Sequence, residues 1–413
     1  RYLERGKTPD QLTDLISDLA VAGFVALRKQ YSAAFASGNW DAAIRLREEY
    51  ELRKRSTRID GRTVYDMSWW ELQARVLSYE AFEFILETGG YDVTNTNGNA
   101  AHSLDQNFFS PETSGFFRLS HGFDELPDKL NEVYDGAGGR TYLLHRLVGF
   151  DKAAPESAGG PYNLLFHLRA DANARAEGRS ETALARLGER SGRVRAKLVV
   201  LAMPVRALRL LDQDNFFFRP ATRDGSDRKA RLDEAMAAVL GVDAFKLFLA
   251  YRRPWWHQAG VTKGQSVTDL PLRQCYYWAT DVGSSPASPT GTNSILMATY
   301  NNGVSVPFWQ SLQAGPLFGP EPTAADALDP FAGRAFVQID RARQRLVGPV
   351  PDAVGPFRRP LPRTATRVMV AQAHAQLMEM HGVAYAPEPY DAHFQDWTVD
   401  PFGAGWHQWK TST

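Results

Sequence analysis

The sequence predicts a mixed α/β (α+β) chain, in which a helical block precedes a mixed, largely antiparallel sheet with helices. Helix caps and apolar residues at helical spacing fill residues 1–95. Short runs rich in β-branched and aromatic residues, separated by Gly and Pro, follow after Ser120. The length of 413 residues, of which 44% are hydrophobic, is enough to bury the core of more than one domain. We therefore expect a globular chain that changes from helix to sheet along its length.

The helical block is predicted from its capping residues. A Thr-Pro-Asp-Gln sequence at 8–11 is typical of a capping box with Pro at the first helical position, and Ser-Trp-Trp-Glu at 68–71 is another. Asn39 is expected to precede a second helix, and Ser78 to cap a helix that stops at residues 89–90, both Gly.

The sheet is predicted from short β-rich runs, and one amphipathic helix is predicted at 365–381. The residues between 171 and 192 are rich in Arg, Glu and Ala, which indicates an exposed excursion between two strands. The predicted strands are 140–151, 161–170, 193–203, 245–251, 273–278 and 293–300.

Composition disfavours several classes of partner. The 47 Lys and Arg residues balance 47 Asp and Glu residues, so no net charge attracts nucleic acid or an anionic membrane. A single cysteine, Cys275, excludes an internal disulfide framework, and the histidines form no metal-binding motif, so no metal site is expected. No apolar run approaches the roughly 20 residues of a membrane span. The chain begins at Arg1 without a signal pattern, which is consistent with a piece of a longer protein, and leaves secreted and cytoplasmic locations open.

Common catalytic fingerprints are missing from the sequence. The glycine clusters at 136–139, 159–160 and 403–405 do not match the G-x-G-x-x-G pattern of a dinucleotide-binding turn. The sequence contains neither a P-loop nor the elbow motif of a serine nucleophile.

Lys246 is the most conspicuous charged residue, because it lies inside the apolar run 245–251. One interpretation is an edge-strand lysine whose stem covers apolar surface while its ammonium reaches water. The other is a buried lysine with a lowered pKa, able to hold a water against an electrophile or a cofactor. The Trp pair at 255–256 suits either a cofactor wall or ordinary packing, and composition favours packing.

Four segments resemble the flavin amine oxidases of the monoamine oxidase and L-amino-acid oxidase superfamily, and they occur in the family's order. Residues 120–127 are similar to the segment that leads into the middle sheet, and 197–204 to a strand followed by a Pro turn. Residues 246–256 are similar to the lysine-bearing strand with its Pro-aromatic-Trp turn, and 396–407 to the aromatic, glycine-rich segment before the C-terminal flavin motif. Residues 269–277 move the resemblance toward bacterial FAD-dependent L-amino-acid oxidases.

The resemblance implies a two-domain fold that binds FAD. It also implies oxidative deamination of an L-amino acid to a 2-oxo acid, ammonia and hydrogen peroxide, with dioxygen reoxidising the flavin. By this resemblance Lys246 is the catalytic lysine that holds a water near the flavin. The resemblance also implies that Val148 contacts the adenine portion of the cofactor and that Trp397 packs beside the flavin. Tyr300 would contact the substrate carboxylate, and Trp406 would form the facing pocket wall.

The N-terminal glycine fingerprint and the C-terminal flavin motif of the family are absent from the sequence. We therefore expect the chain to be the large middle piece of such an enzyme, after proteolytic processing or truncation, with companion chains supplying the remaining FAD motifs in a homo-oligomer. The expected parts are a helical substrate-side block (1–95), a middle sheet with part of the FAD domain (96–205), a substrate-binding sheet with helices (206–395) and the start of the C-terminal FAD segment (396–413).

Two alternatives to the oxidase stay open. A flavin tryptophan-type monooxygenase would convert the amino acid to an amide, with loss of carbon dioxide. A non-catalytic scaffold subunit would use its aromatic residues to bind a partner chain, and Lys246 would then only reach solvent. The sequence does not decide the side chain of the substrate. Trp residues suit an aromatic or aliphatic side chain, whereas Arg and His residues in the same regions are compatible with an acidic one.

Overall fold

The structure is a computed structural model, and it describes residues 4–109, 119, 123, 125–142, 145–152, 162–168, 190–211, 228–280, 294–319, 338–340, 345–347, 363–398, 403 and 405–411. Its α-helices are α1 (Pro9–Ala20), α2 (Phe24–Ala36), α3 (Trp40–Ser56), α4 (Trp69–Val76), α5 (Tyr79–Thr88), α6 (Ala100–Phe109), α7 (Glu125–Gly136), α8 (Val205–Arg209), α9 (Arg228–Ala238), α10 (Val306–Ser311) and α11 (Arg367–His381). Its strands are β1 (Arg58–Ile59), β2 (Arg62–Thr63), β3 (His145–Lys152), β4 (Tyr162–Leu168), β5 (Arg190–Ala196), β6 (Val239–Val242), β7 (Ala244–Tyr251), β8 (Gln265–Val267), β9 (Gln274–Thr280), β10 (Ser294–Asn302), β11 (Gln338–Asp340), β12 (Arg345–Val347), β13 (Arg363–Thr364), β14 (Asp391–Asp396) and β15 (Trp406–Trp409).

The predicted helix caps are confirmed. Thr8 and Gln11 form a reciprocal capping box, in which the Thr8 hydroxyl accepts from the Gln11 amide at 3.3 Å and the Gln11 side chain accepts from the Thr8 amide at 3.0 Å. The side chains of Asn39, Ser68 and Ser78 each accept a hydrogen bond from the backbone amide three residues later. Helices α1, α3, α4 and α5 therefore begin where the sequence places them, whereas the starts of α2 and α6 were not predicted.

The N-terminal helices share one core. The Tyr50 ring of α3 stacks on the Phe108 ring of α6, with centroids 3.9 Å apart, and Phe24 of α2 meets Phe108 edge-on at 5.6 Å. Both α6 and the helices before residue 95 contribute to this cluster. We call residues 9–109 the helical block from here on.

A charged group is buried inside the helical block. Lys54 of α3 is 1% exposed, and its Nζ binds Asp105 of α6 and, at 3.1 Å, Glu51. The Tyr50 hydroxyl donates to the same Asp105 carboxylate at 2.7 Å. Two helices are thus joined by an ion pair whose ammonium is buried, while the Asp105 and Glu51 side chains stay 33% and 26% exposed. The loss of one partner therefore costs more than at a fully exposed pair.

The main sheet is antiparallel and has the strand order β13-β14-β7-β10-β9-β8. Its strands β7, β9 and β10 confirm the predicted strands near 245–251, 273–278 and 293–300, and α11 confirms the predicted helix near 365–381. Because β7 lies between β14 and β10, Lys246 is on an interior strand. The edge-strand interpretation of Lys246 is therefore wrong.

One face of the main sheet is covered by α11. The alternate residues Phe245, Leu247, Leu249 and Tyr251 of β7 are fully buried in this core, whereas Lys246 belongs to the opposite face. The Trp pair at 255–256 is buried in the same core, so packing is the correct interpretation for it.

Strands β3, β4 and β5 form a smaller sheet with its own core. Each of the three strands begins near its predicted first residue. The third strand differs from the prediction, since β5 spans Arg190–Ala196 and residues 197–200 lie beyond its end. The predicted excursion falls outside the described residues at 171–189, and its last three residues belong to β5. The helix α7 was not predicted, because residues 120–127 were assigned to a segment that leads into the sheet.

Among the described residues, none of the helices has the length and apolar character that crossing a bilayer requires.

The buried ion pair leads to a stability prediction. The substitution Asp105→Ala is expected to lower the free energy of unfolding by about 3 kcal/mol, because the Lys54 ammonium then loses its main counter-ion. Urea denaturation followed by circular dichroism measures the difference. Glu132→Ala, which removes the exposed partner of Lys129, is the control and should have a far smaller effect. Equal effects of the two substitutions would mean that Lys54 is not a buried ion in solution.

Candidate functional site

The candidate site begins at the ammonium group of Lys246. Its Nζ lies 4.2 Å from the ring centroid of Tyr300 and 5.4 Å from that of Trp397. The side chain is half-buried, and no carboxylate of the described residues pairs with it. Burial lowers the pKa of the Lys246 amine, because the charged form loses hydration without gaining a counter-ion. The faces of the two rings supply part of the missing negative potential.

The antiparallel register explains why Tyr300 lies under Lys246. The two residues are directly opposite each other on β10 and β7, so their side chains leave the sheet on the same face. On the other side of β7, Gln395 of β14 is opposite Lys246. The lysine is therefore framed by a ring on one neighbouring strand and an amide on the other.

A turn at the end of β14 places Trp397. The buried Asp396 accepts a hydrogen bond from the Thr398 amide at 2.9 Å and another from the Gln313 side chain at 2.9 Å. The Trp397 amide donates to the Ala244 carbonyl, at the start of β7, at 3.0 Å. These bonds hold the backbone on both sides of the Trp397 ring, so that the ring lies beside Lys246.

Four aromatic residues near Lys246 form what we call the aromatic box: Tyr91, Tyr276, Tyr300 and Trp406. The Tyr300 and Trp406 rings are nearly parallel at 22°, with centroids 6.4 Å apart. Tyr91 meets Tyr300 edge-on at 5.6 Å and Trp406 at 6.4 Å, and Tyr276 lies 6.5 Å from Tyr300. The box combines residues from the helical block, the main sheet and β15.

Two hydroxyls of the box are hydrogen-bonded, whereas the buried Trp406 Nε1 has no hydrogen-bond partner among the described residues. The Tyr91 and Tyr276 hydroxyls are hydrogen-bonded, and the Tyr276 hydroxyl donates to the Gln274 side chain at 3.1 Å. The Gln274 amide group donates to the Tyr300 carbonyl at 3.0 Å. Burial, followed by the nearby Tyr91, raises the pKa of Tyr300 to about 12, so its hydroxyl is neutral at physiological pH. The box is thus lined by uncharged rings beside a single cation.

Close packing explains the glycines that precede Trp406. A Cβ atom on Gly405 would lie 2.1 Å from the Ala244 Cβ, and one on Gly403 would lie 1.8 Å from the Arg206 Cδ. Gly403 also has a φ of +64°, a region that favours glycine. The missing side chain lets the segment pass against α8 at Gly403 and against the start of β7 at Gly405. The segment then continues into β15 and Trp406.

The structure brings together four of the five residues that the sequence analysis assigned to the site. Lys246, Tyr300, Trp397 and Trp406 form one continuous set of contacts. Val148 is half-buried at a bulge in β3, and β3 belongs to the smaller sheet. Its assignment to the adenine portion of the cofactor stays a prediction.

Sequence reasoning missed Tyr91 as part of the box. It follows the Gly pair at 89–90, where the pattern shows only the end of a helix. For Tyr276 a signal exists in the sequence, since it opens a Tyr-Tyr-Trp run on the predicted strand 273–278. Among the described residues, no group of three or more His, Cys, Asp or Glu side chains is placed to hold a metal ion.

This arrangement has a definite chemical capacity. A half-buried amine with a lowered pKa can hold a water at Nζ and gives up its proton more readily than an exposed lysine does. Uncharged ring walls exclude water, and the like charge of the Lys246 ammonium disfavours the charged form of any amine bound beside it. The site is thus suited to a reaction of a neutral amine near a flat aromatic group.

Comparison with known proteins gives the wider relationship. Residues 39–315 match the family model described as flavin containing amine oxidoreductase, a range that includes Lys246 and Tyr300. The chain is 24% identical to Aplysianin-A of Aplysia kurodai over 364 residues, which cover 85% of this chain and 53% of that protein. It is 30% identical to an L-amino-acid oxidase of Mus musculus over 174 residues, covering 41% of this chain and 21% of the relative. The chain thus spans at most about half the length of these relatives.

The titration of Lys246 is directly measurable. Because burial lowers its pKa, we expect its amine to be half deprotonated at a pH below about 10.4, the value of an unperturbed lysine. Competitive acetylation over a pH series, read peptide by peptide by mass spectrometry, gives the midpoint. Lys129 is the control, because its hydrogen bond to Glu132 raises its pKa. A midpoint for Lys246 equal to that of Lys129 would contradict the burial of the ammonium.

Proposed function

The chain belongs to the family of flavin-containing amine oxidoreductases, and we propose that it is the substrate-binding part of an FAD-dependent L-amino-acid oxidase. The observation that carries this proposal is the Lys246 ammonium, which lies on the faces of Tyr300 and Trp397 without a carboxylate partner among the described residues. A structural lysine on an interior strand would be expected to have a counter-ion, as Lys54 does. An unpaired amine with a lowered pKa is typical of functional sites.

The residues present fit one wall of a flavin site. Trp397 and Tyr300 offer flat apolar surface on either side of the Lys246 amine, which is a hydrogen-bonding group aimed at the same space. The sequence has no glycine fingerprint for the pyrophosphate of FAD. The proposal therefore assigns the pyrophosphate and adenine contacts mainly to polypeptide outside this chain, as companion chains or further segments of one protein.

A bound flavin supplies the hydride acceptor for such a reaction. The contribution of this chain is to bind and desolvate the amino acid. The like charge of the neighbouring Lys246 ammonium favours the neutral amine of the substrate over its ammonium form. The nitrogen lone pair is then free to stabilise the developing positive charge as hydride leaves Cα. The neutral Tyr300 hydroxyl is the proposed donor to the substrate carboxylate, and Trp406 is the proposed opposite wall.

Lys246 is proposed to handle water and dioxygen chemistry rather than to act as the main base. In this role its Nζ would hold the water that adds to the imino acid, and the adduct would then lose ammonia to give the 2-oxo acid. The balanced reaction consumes one amino acid, one dioxygen and one water, and yields one 2-oxo acid, one ammonia and one hydrogen peroxide. A lowered pKa suits this role, because it brings the amine closer to the pH at which it can both give and take a proton.

Product analysis tests the proposal. The assembled protein is expected to show flavin absorbance and to convert L-amino acids to 2-oxo acids with release of hydrogen peroxide. An amide with carbon dioxide would indicate the tryptophan-type monooxygenase instead. A colourless protein without turnover of any L-amino acid would favour the scaffold alternative and refute the proposal.

A substitution at Lys246 tests its individual role. Lys246→Met is expected to slow the reaction of the reduced protein with dioxygen by about 100-fold, the scale of a lost proton-transfer group. Substrate binding should change much less, since the proposed carboxylate contact is made by Tyr300. Stopped-flow absorbance separates the two half-reactions. Lys263→Met, at an exposed lysine, is the matched control. An unchanged oxidative half-reaction in Lys246→Met would rule out this role.

A further inference from the structure

The aromatic box is assembled from parts of the chain that are far apart in sequence. Tyr276, Tyr300 and Trp406 belong to strands, whereas Tyr91 comes from the helical block and immediately precedes a short 3-10 turn, Asp92–Asn95. A ring on a short connection has no strand or helix to hold its position. The Tyr91 hydroxyl is hydrogen-bonded to Tyr276 of β9, and a second interaction holds the backbone next to it.

Arg273 provides such an interaction. It precedes β9, is 6% exposed and lies against the helical block. Its Nη1 is 2.7 Å from Glu87 Oε2, and its Nη2 is 2.7 Å from the Leu86 carbonyl and 3.2 Å from Asp92 Oδ1. One guanidinium therefore binds both the end of α5 and the residue after Tyr91, in the forked geometry for which arginine is suited.

The backbone of Arg273 is held in an unusual conformation. Its φ is +58°, in the left-handed region that a side chain disfavours. The turn is closed by the Arg273 amide, which donates to the Leu270 carbonyl at 2.8 Å, and by the Thr268 amide, which donates to the Arg273 carbonyl at 2.9 Å. Such conformations persist where the surroundings determine them, and they concentrate at functional sites.

Two further bonds tie the Asp92–Asn95 turn, which follows Tyr91, to the main sheet. The Ser305 hydroxyl, just after β10, donates to Asp92 at 2.8 Å, and the Val93 amide donates to the Asn302 side chain at 2.6 Å. Asp92 is buried, so its carboxylate depends on Arg273 and Ser305 for compensation of its charge. Of these groups, Arg273 alone carries the opposite charge.

On this basis we propose that Arg273 is a positioning residue, which holds Tyr91 against Tyr300 and Trp406 through its ion pair with Asp92. The aromatic box is then complete only while the helical block is docked on the main sheet. Arg273 also precedes Gln274, whose side chain binds the Tyr300 carbonyl, so one turn fixes two walls of the box. The consequence for substrate binding rests on the function proposed above, whereas the docking itself does not.

Hydrogen exchange tests the docking without any substrate. In the assembled protein, Arg273→Met is expected to speed exchange of the amides of residues 91–96 by about tenfold or more, because that turn opens locally. Arg75→Met, which removes a more exposed arginine with its own ion pairs to Asp60 and Glu71, is the control and should leave residues 91–96 unchanged. Unchanged exchange in Arg273→Met would overturn the proposal. If that variant fails to fold, Glu87→Gln removes one partner of Arg273 at a half-exposed position and should give a smaller change of the same sign.

Steady-state kinetics test the link to the site. Arg273→Met should raise KM for the amino acid roughly tenfold, with a smaller effect on kcat. This change is smaller than the loss of about 100-fold that a misplaced group in a site can cause. Tyr91→Leu should do the same, and adding Arg273→Met to Tyr91→Leu should raise KM little further, because the arginine acts through that ring. Fully additive effects would overturn the positioning role. A wild-type protein that turns over no amino acid would refute the proposed function, and hydrogen exchange would still decide the docking.

Discussion

The free-energy cost of keeping the Lys246 ammonium group on an interior strand is the constraint on which the candidate site depends. Taking a lysine head group out of water costs several kcal/mol even after the protein relaxes. Contacts of that group with two ring faces return only about 2 kcal/mol when they are desolvated. The balance stays unfavourable for the charged form, which is why burial lowers the pKa of Lys246. Lys54 shows the alternative solution in the same chain, since it is more deeply buried but is compensated by two carboxylates.

Each aromatic wall of the site is positioned by a different local feature of the fold. Strand register places Tyr300 on the same face as Lys246, and the hydrogen bonds of Asp396 turn the chain so that Trp397 lies beside it. The absence of a side chain at Gly405 lets the next segment pass against Ala244 and deliver Trp406. None of these features depends on the ligand. The wall is therefore formed before anything binds, which reduces the ordering cost of binding.

Local patterns determined what could be predicted from the sequence. Caps and apolar spacing located four of the helices before residue 95, because those signals lie within one turn of the helix they start. The helix α2 was not located, since it begins after Gly23 without a side-chain cap. Whether Lys246 lay on an edge or an interior strand could not be predicted, since β13 and β14 come more than a hundred residues later and close that side of the sheet. The contribution of Tyr91 was hidden for the same reason. Its position depends on Arg273 and Asn302, and no local pattern records a pairing over such a separation.

The family relationship and the geometry cover different parts of the site. The family match ends at residue 315, so it includes Lys246 and Tyr300 but not Trp397 or Trp406. The structure nevertheless places all four in contact, and it does so through β14 and β15, which pair with β7 and β6. Since β15 also receives a bond from the helical block, where the Asn99 amide donates to the Trp409 carbonyl at 2.7 Å, the last strand is fixed from both sides. The geometry of the site is therefore a property of the docked helical block and sheets together, and a change that loosens their contact alters the walls around Lys246 even when it touches none of them.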